Sequence, residues 1–80
     1  MSISVLGAGA FGTALAITFA RTGSKVSLWG RDPSVMQSLT IEQCNKKYLP
    51  NASFPQSMEV SQYLDNALEA DIILFAVPTQ

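Results

Sequence analysis

The 80-residue chain contains no histidine and a single cysteine, Cys44. An internal disulfide is therefore excluded, and a zinc site built from His and Cys lacks its ligands. With no imidazole to activate it, Cys44 reads as an inert, buried thiol rather than a nucleophile. Charge is also scarce: five Lys and Arg against six Asp and Glu give a net charge of −1. That leaves no basic field for nucleic acid or a membrane surface. No apolar run reaches the ~18–20 residues of a membrane span. Only Met1-Ser2 precedes the first apolar stretch, without a charged n-region or cleavage site, which argues against a secretory signal. The expectation is a cytoplasmic protein. The length allows at most one small domain, which buries only ~60–65% of its unfolded-chain surface. A hydrophobic content of 48% is rich for so short a chain and implies apolar surface meant for contacts beyond these residues.

What is present concentrates in the first seventeen residues. Ile3-Ser4-Val5-Leu6 is a short apolar strand, Gly7-Ala8-Gly9-Ala10-Phe11-Gly12 spells G-x-G-x-x-G, and Thr13-Ala14-Leu15-Ala16-Ile17 begins an alanine-rich helix. A glycine triplet alone is weak evidence, but between a strand and a helix it is the fingerprint of a dinucleotide-binding turn. Gly7 lets the chain leave the strand tightly, Gly9 lets the backbone approach a pyrophosphate, and Gly12 lets the helix close on the strand. The first N–H groups of the helix have no partner within it and face the turn with the positive end of the helix dipole. That arrangement suits a pyrophosphate, with ~0.3–2 kcal/mol from the dipole before direct hydrogen bonds are counted. The N–H groups of Ala10 and Phe11 are candidate donors, and the Phe11 ring has a packing role beneath the turn as its simpler alternative.

The rest of the chain continues the βα alternation. A helix over Phe11–Thr22 ends at Gly23, in the place a helix C-terminus favours, with Arg21 in its last turn. Lys25–Trp29 is a second strand, parallel to the first through a right-handed crossover. Asp32 caps a second helix that Pro33 opens, with Val35, Met36, Leu39 and Ile41 on its apolar side. The stretch from Asn45 to Asn51 reads as helix exit and loop, and Met58-Glu59-Val60 as a short strand. A third helix is expected from Gln62 to Ala70, with Tyr63, Leu64, Ala67 and Leu68 facing inward. The run Asp71–Val77 has the near-continuous apolar character of a parallel strand buried on both faces. The fold class is thus α/β, a Rossmann-type parallel sheet with helices on both faces. It looks truncated, because so apolar a last strand requires cover on each side.

The end of the second strand speaks to the choice of cofactor. A carboxylate that grips the ribose 2′-hydroxyl of NAD belongs there, roughly 20 residues past the glycines. The chain instead reads Trp29-Gly30-Arg31-Asp32. A guanidinium at Arg31 can pair with a 2′-phosphate and stack on adenine, whereas a carboxylate would repel that phosphate. The reading favours NADP(H), with NAD(H) as the alternative, and assigns Asp32 to the helix cap rather than the ribose. Tyr48 has two readings, stacking near the cofactor or plugging the core. A methyltransferase, which wants an acidic residue before the glycines, is disfavoured by Leu6.

Four segments carry a family resemblance. They are Gly7–Ala16, Val26–Asp32, the block Asn45-Lys46-Lys47-Tyr48-Leu49-Pro50, and Asp71–Pro78. Together they resemble the N-terminal part of bacterial NAD(P)-dependent glycerol-3-phosphate dehydrogenase, along the whole chain. Trp-Gly-Arg-Asp and Asn-Lys-Lys-Tyr-Leu-Pro are more specific than the glycine loop, which many dehydrogenases share. One departure is Ala10, where serine is the more frequent residue. A backbone contact survives that change and a hydroxyl contact does not.

The resemblance implies an enzyme that reduces dihydroxyacetone phosphate to sn-glycerol 3-phosphate for phospholipid synthesis, with a lysine supplying the acid chemistry. It places Ala10, Phe11 and Arg31 on the cofactor, beside Gly7, Gly9 and Gly12 that the glycine motif assigns, and the backbone of Val77 and Pro78 toward its nicotinamide half. Residues 1–80 would be a partial nucleotide-binding domain, with the helical domain that holds the lysine and the substrate phosphate absent. No catalytic residue is assigned within this segment. Lys25 stands at the wrong end of its strand, and Lys46 and Lys47 read as solvated charges. The partners implied are the nucleotide and, only with the missing domain, dihydroxyacetone phosphate; a homodimer of the intact enzyme stays open. Two other readings remain at this point. One is a different two-domain reductase of the ketopantoate reductase or 6-phosphogluconate dehydrogenase kind. The other is a non-catalytic module that senses a nucleotide for a partner.

Overall fold

The computed structural model describes residues 2–46, 49–61 and 63–76. Chain order is β1 (Ser2–Leu6), α1 (Ala10–Arg21), β2 (Lys25–Trp29), α2 (Pro33–Glu42), β3 (Cys44–Asn45), β4 (Leu49–Ser53), β5 (Met58–Ser61), α3 (Leu64–Ala67) and β6 (Ile72–Phe75). Four strands form one sheet in the order β5-β2-β1-β6, and every pairing is parallel. From β1 the chain steps outward to β2 and β5, then returns to pair β6 on the opposite side of β1. The strand order therefore reverses between β1 and β6, which is the switch point where open α/β sheets bind ligands beyond their carboxyl ends.

Helix placement follows from the same topology. Right-handed crossovers put α1 and α2 on one face, and the return crossover puts α3 on the other. Ile3 and Val5 of β1 and Val26 and Leu28 of β2 pack with Ala16, Ile17 and Ala20 of α1 and with Met36 and Leu39 of α2. Val5 and Leu28 are fully buried. Small residues on α1 let its backbone approach the sheet closely, and Gly23, at φ +95°, turns the chain into β2. Asp32 caps α2, its Oδ1 accepting the Ser34 N–H at 3.0 Å, with Pro33 in the first turn.

Several expectations are corrected. The segment from Asn45 to Asn51 is not simple loop: β3 and β4 pair antiparallel, with a register shift between Cys44 and Asn45. Phe54 ties this hairpin to the end of α2, its N–H donating to the Gln43 carbonyl at 2.8 Å. The helix expected over 62–70 is a single turn, Leu64–Ala67, closed by an i→i−3 bond from the Glu69 N–H to the Asn66 carbonyl. Only Ala67 meets the sheet there, and Tyr63, Leu64 and Leu68 are exposed, so there is too little buried surface to extend the helix. Ile41 also points outward, because only Met36 and Leu39 of α2 reach the core. The last strand is not buried on both faces: β6 lies at the sheet edge and Phe75 is 73% exposed. Asp71 pins its start to β1, the carboxylate accepting from the Ser2 N–H at 2.9 Å and from the Ser2 hydroxyl at 3.2 Å.

Candidate nucleotide-binding site

The glycine turn stands at the carboxyl end of β1. Gly7 has φ +124°, open only to glycine at low cost, and its N–H donates to the Trp29 carbonyl at the end of β2. Gly9 is the N-cap of α1, extended at φ −76°, and a Cβ built there meets nothing within 4 Å. Gly12 is buried, and a Cβ on it would overlap the Gly7 carbonyl oxygen and come within 3.2 Å of the Ala76 side chain. The first helical bond runs from the Thr13 N–H to the Gly9 carbonyl at 3.0 Å. The N–H groups of Ala10, Phe11 and Gly12 thus precede the helical ladder. Among the described residues no side chain caps this end, and no acidic residue occupies its first turn. The Phe11 ring is 67% exposed, which corrects its packing role beneath the turn.

Beside the turn opens a cleft of about 520 Å³, bordered by Ala8 and Gly9, by Gly30, Arg31 and Asp32 after β2, by Val35 and Met36 on α2, and by Asn45 and Lys46. Gly30 forms its floor. A Cβ there would stand 2.8 Å from the Ala8 Cβ and 2.9 Å from the Met36 sulfur. A carboxylate at position 30 would therefore require Ala8 and Met36 to shift. Arg31 is exposed on the rim, and the Asp32 carboxylate is engaged in the α2 cap. Lys46 is exposed and pairs with Glu42 at 3.0 Å, and that carboxylate raises its pKa. Lys25 is exposed at the amino end of β2, away from the cleft.

The structure thus gathers Gly7, Gly9, Ala10, Phe11, Gly12 and Arg31 around one end of the sheet. Tyr48, Val77 and Pro78 lie outside the described residues. Sequence reasoning missed two buried contributors, Asn45 and Thr13. The Asn45 amide donates to the Ala8 carbonyl at 3.1 Å and to the Thr13 hydroxyl at 3.0 Å. The only signal for Asn45 was its place in the Asn-Lys-Lys-Tyr-Leu-Pro block, which a polar turn explained equally well. No helix among the described residues is long and apolar enough to cross a membrane.

A parallel sheet with a reversed strand order, a glycine turn that only glycine can make and a bare helix start define a Rossmann-type domain of the dinucleotide-binding class. Comparison with known proteins narrows this further. Residues 2–80 match the family described as NAD-dependent glycerol-3-phosphate dehydrogenase N-terminus, and the chain belongs to that family. Glycerol-3-phosphate dehydrogenase [NAD(P)+] of Wigglesworthia glossinidia brevipalpis is 47% identical over 98% of the chain, and that of Thioalkalivibrio sulfidiphilus is 49% identical over the same share. The chain spans 24% of the length of each of these relatives. A crystal structure of glycerol-3-phosphate dehydrogenase from Coxiella burnetii superposes with a TM-score of 0.89 at 40% identity, over 92% of this chain and 23% of that one. The Plasmodium falciparum glycerol-3-phosphate dehydrogenase gives a TM-score of 0.80 at 26% identity, over 98% of this chain and 25% of that one. The family match sets aside ketopantoate reductase and 6-phosphogluconate dehydrogenase as readings.

Proposed function

We propose that this chain holds NAD(P)H as the nucleotide-binding portion of a glycerol-3-phosphate dehydrogenase, an enzyme that reduces dihydroxyacetone phosphate to sn-glycerol 3-phosphate. The observation that carries the proposal is the row of N–H groups at Ala10, Phe11 and Gly12, ahead of the first helical bond and next to the cleft. Amides in that position are oriented donors for a pyrophosphate, and the absence of a carboxylate in the first turn leaves the positive helix end uncompensated. The chemistry the cofactor supplies is a hydride for the ketone carbon. The chain's own contribution is to bind and orient. Gly7 and Gly12 let turn and helix close up, Gly9 leaves room for phosphate oxygens, and Arg31 lies where the 2′ position of the adenosine ribose would come.

NADP(H) is the preferred cofactor in this reading. Gly30 cannot be replaced by a ribose-binding carboxylate without moving Met36, and Asp32 is held by the Ser34 N–H, so neither offers an acidic partner to the 2′-hydroxyl. Arg31 is exposed, and no described residue pairs with its guanidinium. Tyr48 joins the proposed cofactor site as an aromatic for stacking, and Val77 and Pro78 join it on the resemblance and on the rule that ligands sit beyond the carboxyl ends of parallel strands. Reduction of the ketone needs a substrate-binding domain and a proton donor, and none of Lys25, Lys46 and Lys47 is proposed for that role. The test is a titration of the purified protein with NADPH and NADH, with Arg31→Ala alongside. Tighter binding of NADPH by the unsubstituted protein, lost in Arg31→Ala, is the expected result. Equal affinities before substitution would remove Arg31 from the assignment, and failure to bind either nucleotide would remove the nucleotide site itself.

A further inference from the structure

Asn45 is 3% exposed, and Thr13, to which it donates, is fully buried. It lies 37 residues from Ala8 in sequence and reaches the glycine turn from the β3–β4 hairpin. The register shift between Cys44 and Asn45 re-aims the side chain out of the regular strand pattern. Both partners of the amide are oxygens: the Ala8 carbonyl at 3.1 Å and the Thr13 hydroxyl at 3.0 Å. The Ala8 carbonyl can only accept, so the group facing it must be the NH2 end of Asn45, spending one N–H on each oxygen. The Thr13 hydroxyl proton has the same carbonyl as acceptor at 3.4 Å. Asn45 and Thr13, 32 residues apart in the chain, thus converge on one peptide group.

That peptide joins Ala8 to Gly9 and is trans, so its C=O and N–H point in opposite directions. Holding the carbonyl against the buried Asn45–Thr13 pair turns the Gly9 N–H away from the interior. Among the described residues no other side chain holds this peptide; the Gly9 carbonyl, one peptide further on, accepts the Thr13 N–H. Gly9 is the residue most free to rotate, and its α-carbon has open space around it. We propose that Asn45 is a positioning residue for the phosphate-binding turn: through the Ala8 carbonyl it fixes the Ala8–Gly9 peptide so that the Gly9 N–H stands ready for a pyrophosphate oxygen. The inference rests on the nucleotide-binding reading and adds to it a residue that acts through the Ala8 carbonyl.

The substitutions that test this are Asn45→Asp, which keeps the shape and sets an acceptor against the Ala8 carbonyl, and Asn45→Leu, which removes both donors without adding a charge beside the cleft. The loss must appear in both, and a loss confined to Asn45→Asp would be charge repulsion and would overturn the proposal. The probes are ADP-ribose, which carries adenosine and pyrophosphate without nicotinamide, and adenosine, titrated to millimolar concentration and followed by amide chemical shifts. ADP-ribose affinity is expected to fall about ten-fold, the worth of one hydrogen bond to a charged group, while adenosine changes by less than about two-fold. The Gly9 amide resonance of the ligand-free protein should move as well. Equal losses for both ligands, or an unchanged ADP-ribose affinity, would overturn the proposal. Where Asn45→Asp does not fold, Thr13→Val carries the same comparison, with an expected loss for ADP-ribose of about three-fold. If the unsubstituted protein ignores ADP-ribose, the nucleotide-binding reading fails. If it binds and the variants bind equally well, only the role of Asn45 fails.

Discussion

Gly9 and Gly12 belong to the same motif, yet the structure demands that alanine at the two positions do opposite things. At Gly12 a Cβ overlaps the Gly7 carbonyl oxygen and sits 2.9 Å from the Gly7 carbonyl carbon, with the Ala76 Cβ at 3.2 Å. Carbon atoms prefer about 3.5–4.0 Å, so α1 must back away from the turn by at least about 0.6 Å. Two of the obstacles are backbone, and neither can swing aside as a flexible side chain would. Overpacking of this kind costs about 1–3 kcal/mol, and the better helix propensity of alanine returns at most about 1. A net loss near 2 kcal/mol lowers the thermal midpoint of a domain this size by about 8–16 °C. At Gly9 a Cβ meets nothing and the backbone is already in a region that alanine accepts, so Gly9→Ala should leave stability unchanged or raise it by about 0.4–1 kcal/mol. The same methyl stands where a phosphate would approach, and a β-branched residue there should abolish nucleotide binding while leaving the fold. Thermal unfolding by circular dichroism without nucleotide, beside an NADPH titration, separates the two. A Gly12→Ala protein as stable as the original would refute the packing argument. Undiminished nucleotide affinity in Gly9→Ala or Gly9→Val would refute the assignment of the turn.

Three further outcomes follow from individual contacts. Ser2 donors hold the Asp71 carboxyl below its ordinary pKa, so the bond between β1 and β6 is complete above the unfolded-state value and is lost as pH falls through the folded one. Acid unfolding curves should therefore be shallower below about pH 4 for Asp71→Asn, and curves identical to the original would dismiss the contact. Ser4 buries a hydroxyl without a partner among the described residues, and Ser4→Ala should leave the thermal midpoint unchanged or raise it; a drop of more than about 4 °C would show that the hydroxyl is satisfied. Gln43 ends α2 at φ +56°, and Gln43→Gly should gain about 0.5 kcal/mol in urea unfolding, relief of left-handed backbone outweighing the entropy of glycine; a loss would mean that the Gln43 amide bond to the Thr40 carbonyl matters more.

Legibility of the sequence followed the range of the forces involved. β1, β2 and the capped start of α2 could be read because their signals are local: an apolar run, a glycine stop, and an aspartate before a proline. The short β3–β4 hairpin could not, because Asn45 and Lys46 look like a polar turn until the partner strand is known. The third helix was overdrawn because Tyr63, Leu64 and Leu68 have helical spacing, and spacing does not say whether a sheet is there to receive them. The last strand was correctly read as strand and incorrectly as buried, since burial of Ile72 and Phe75 depends on what lies over them and not on their own character. In the candidate site the glycines were legible because their chemistry is that of the backbone, which the motif encodes directly.

Gly30 shows how position and packing combine to give more than either. Sequence alone registers a glycine where a ribose-binding carboxylate belongs, which says only that the carboxylate is absent. The structure adds that a Cβ at that position would stand 2.8 Å from the Ala8 Cβ of the glycine turn and 2.9 Å from the Met36 sulfur of α2. The two loops that border the cleft, one after β1 and one after β2, can therefore approach each other only because Gly30 carries no side chain against the Ala8 methyl. Restoring an acid with Gly30→Asp would not convert the cleft to an NAD site. It would drive Ala8 away from Gly30, and Ala8 is the residue whose carbonyl Asn45 and Thr13 hold. In the proposed site the phosphate and ribose ends of the cleft would thus be coupled through Ala8, and Gly30→Asp should weaken NADH and NADPH together instead of exchanging one for the other.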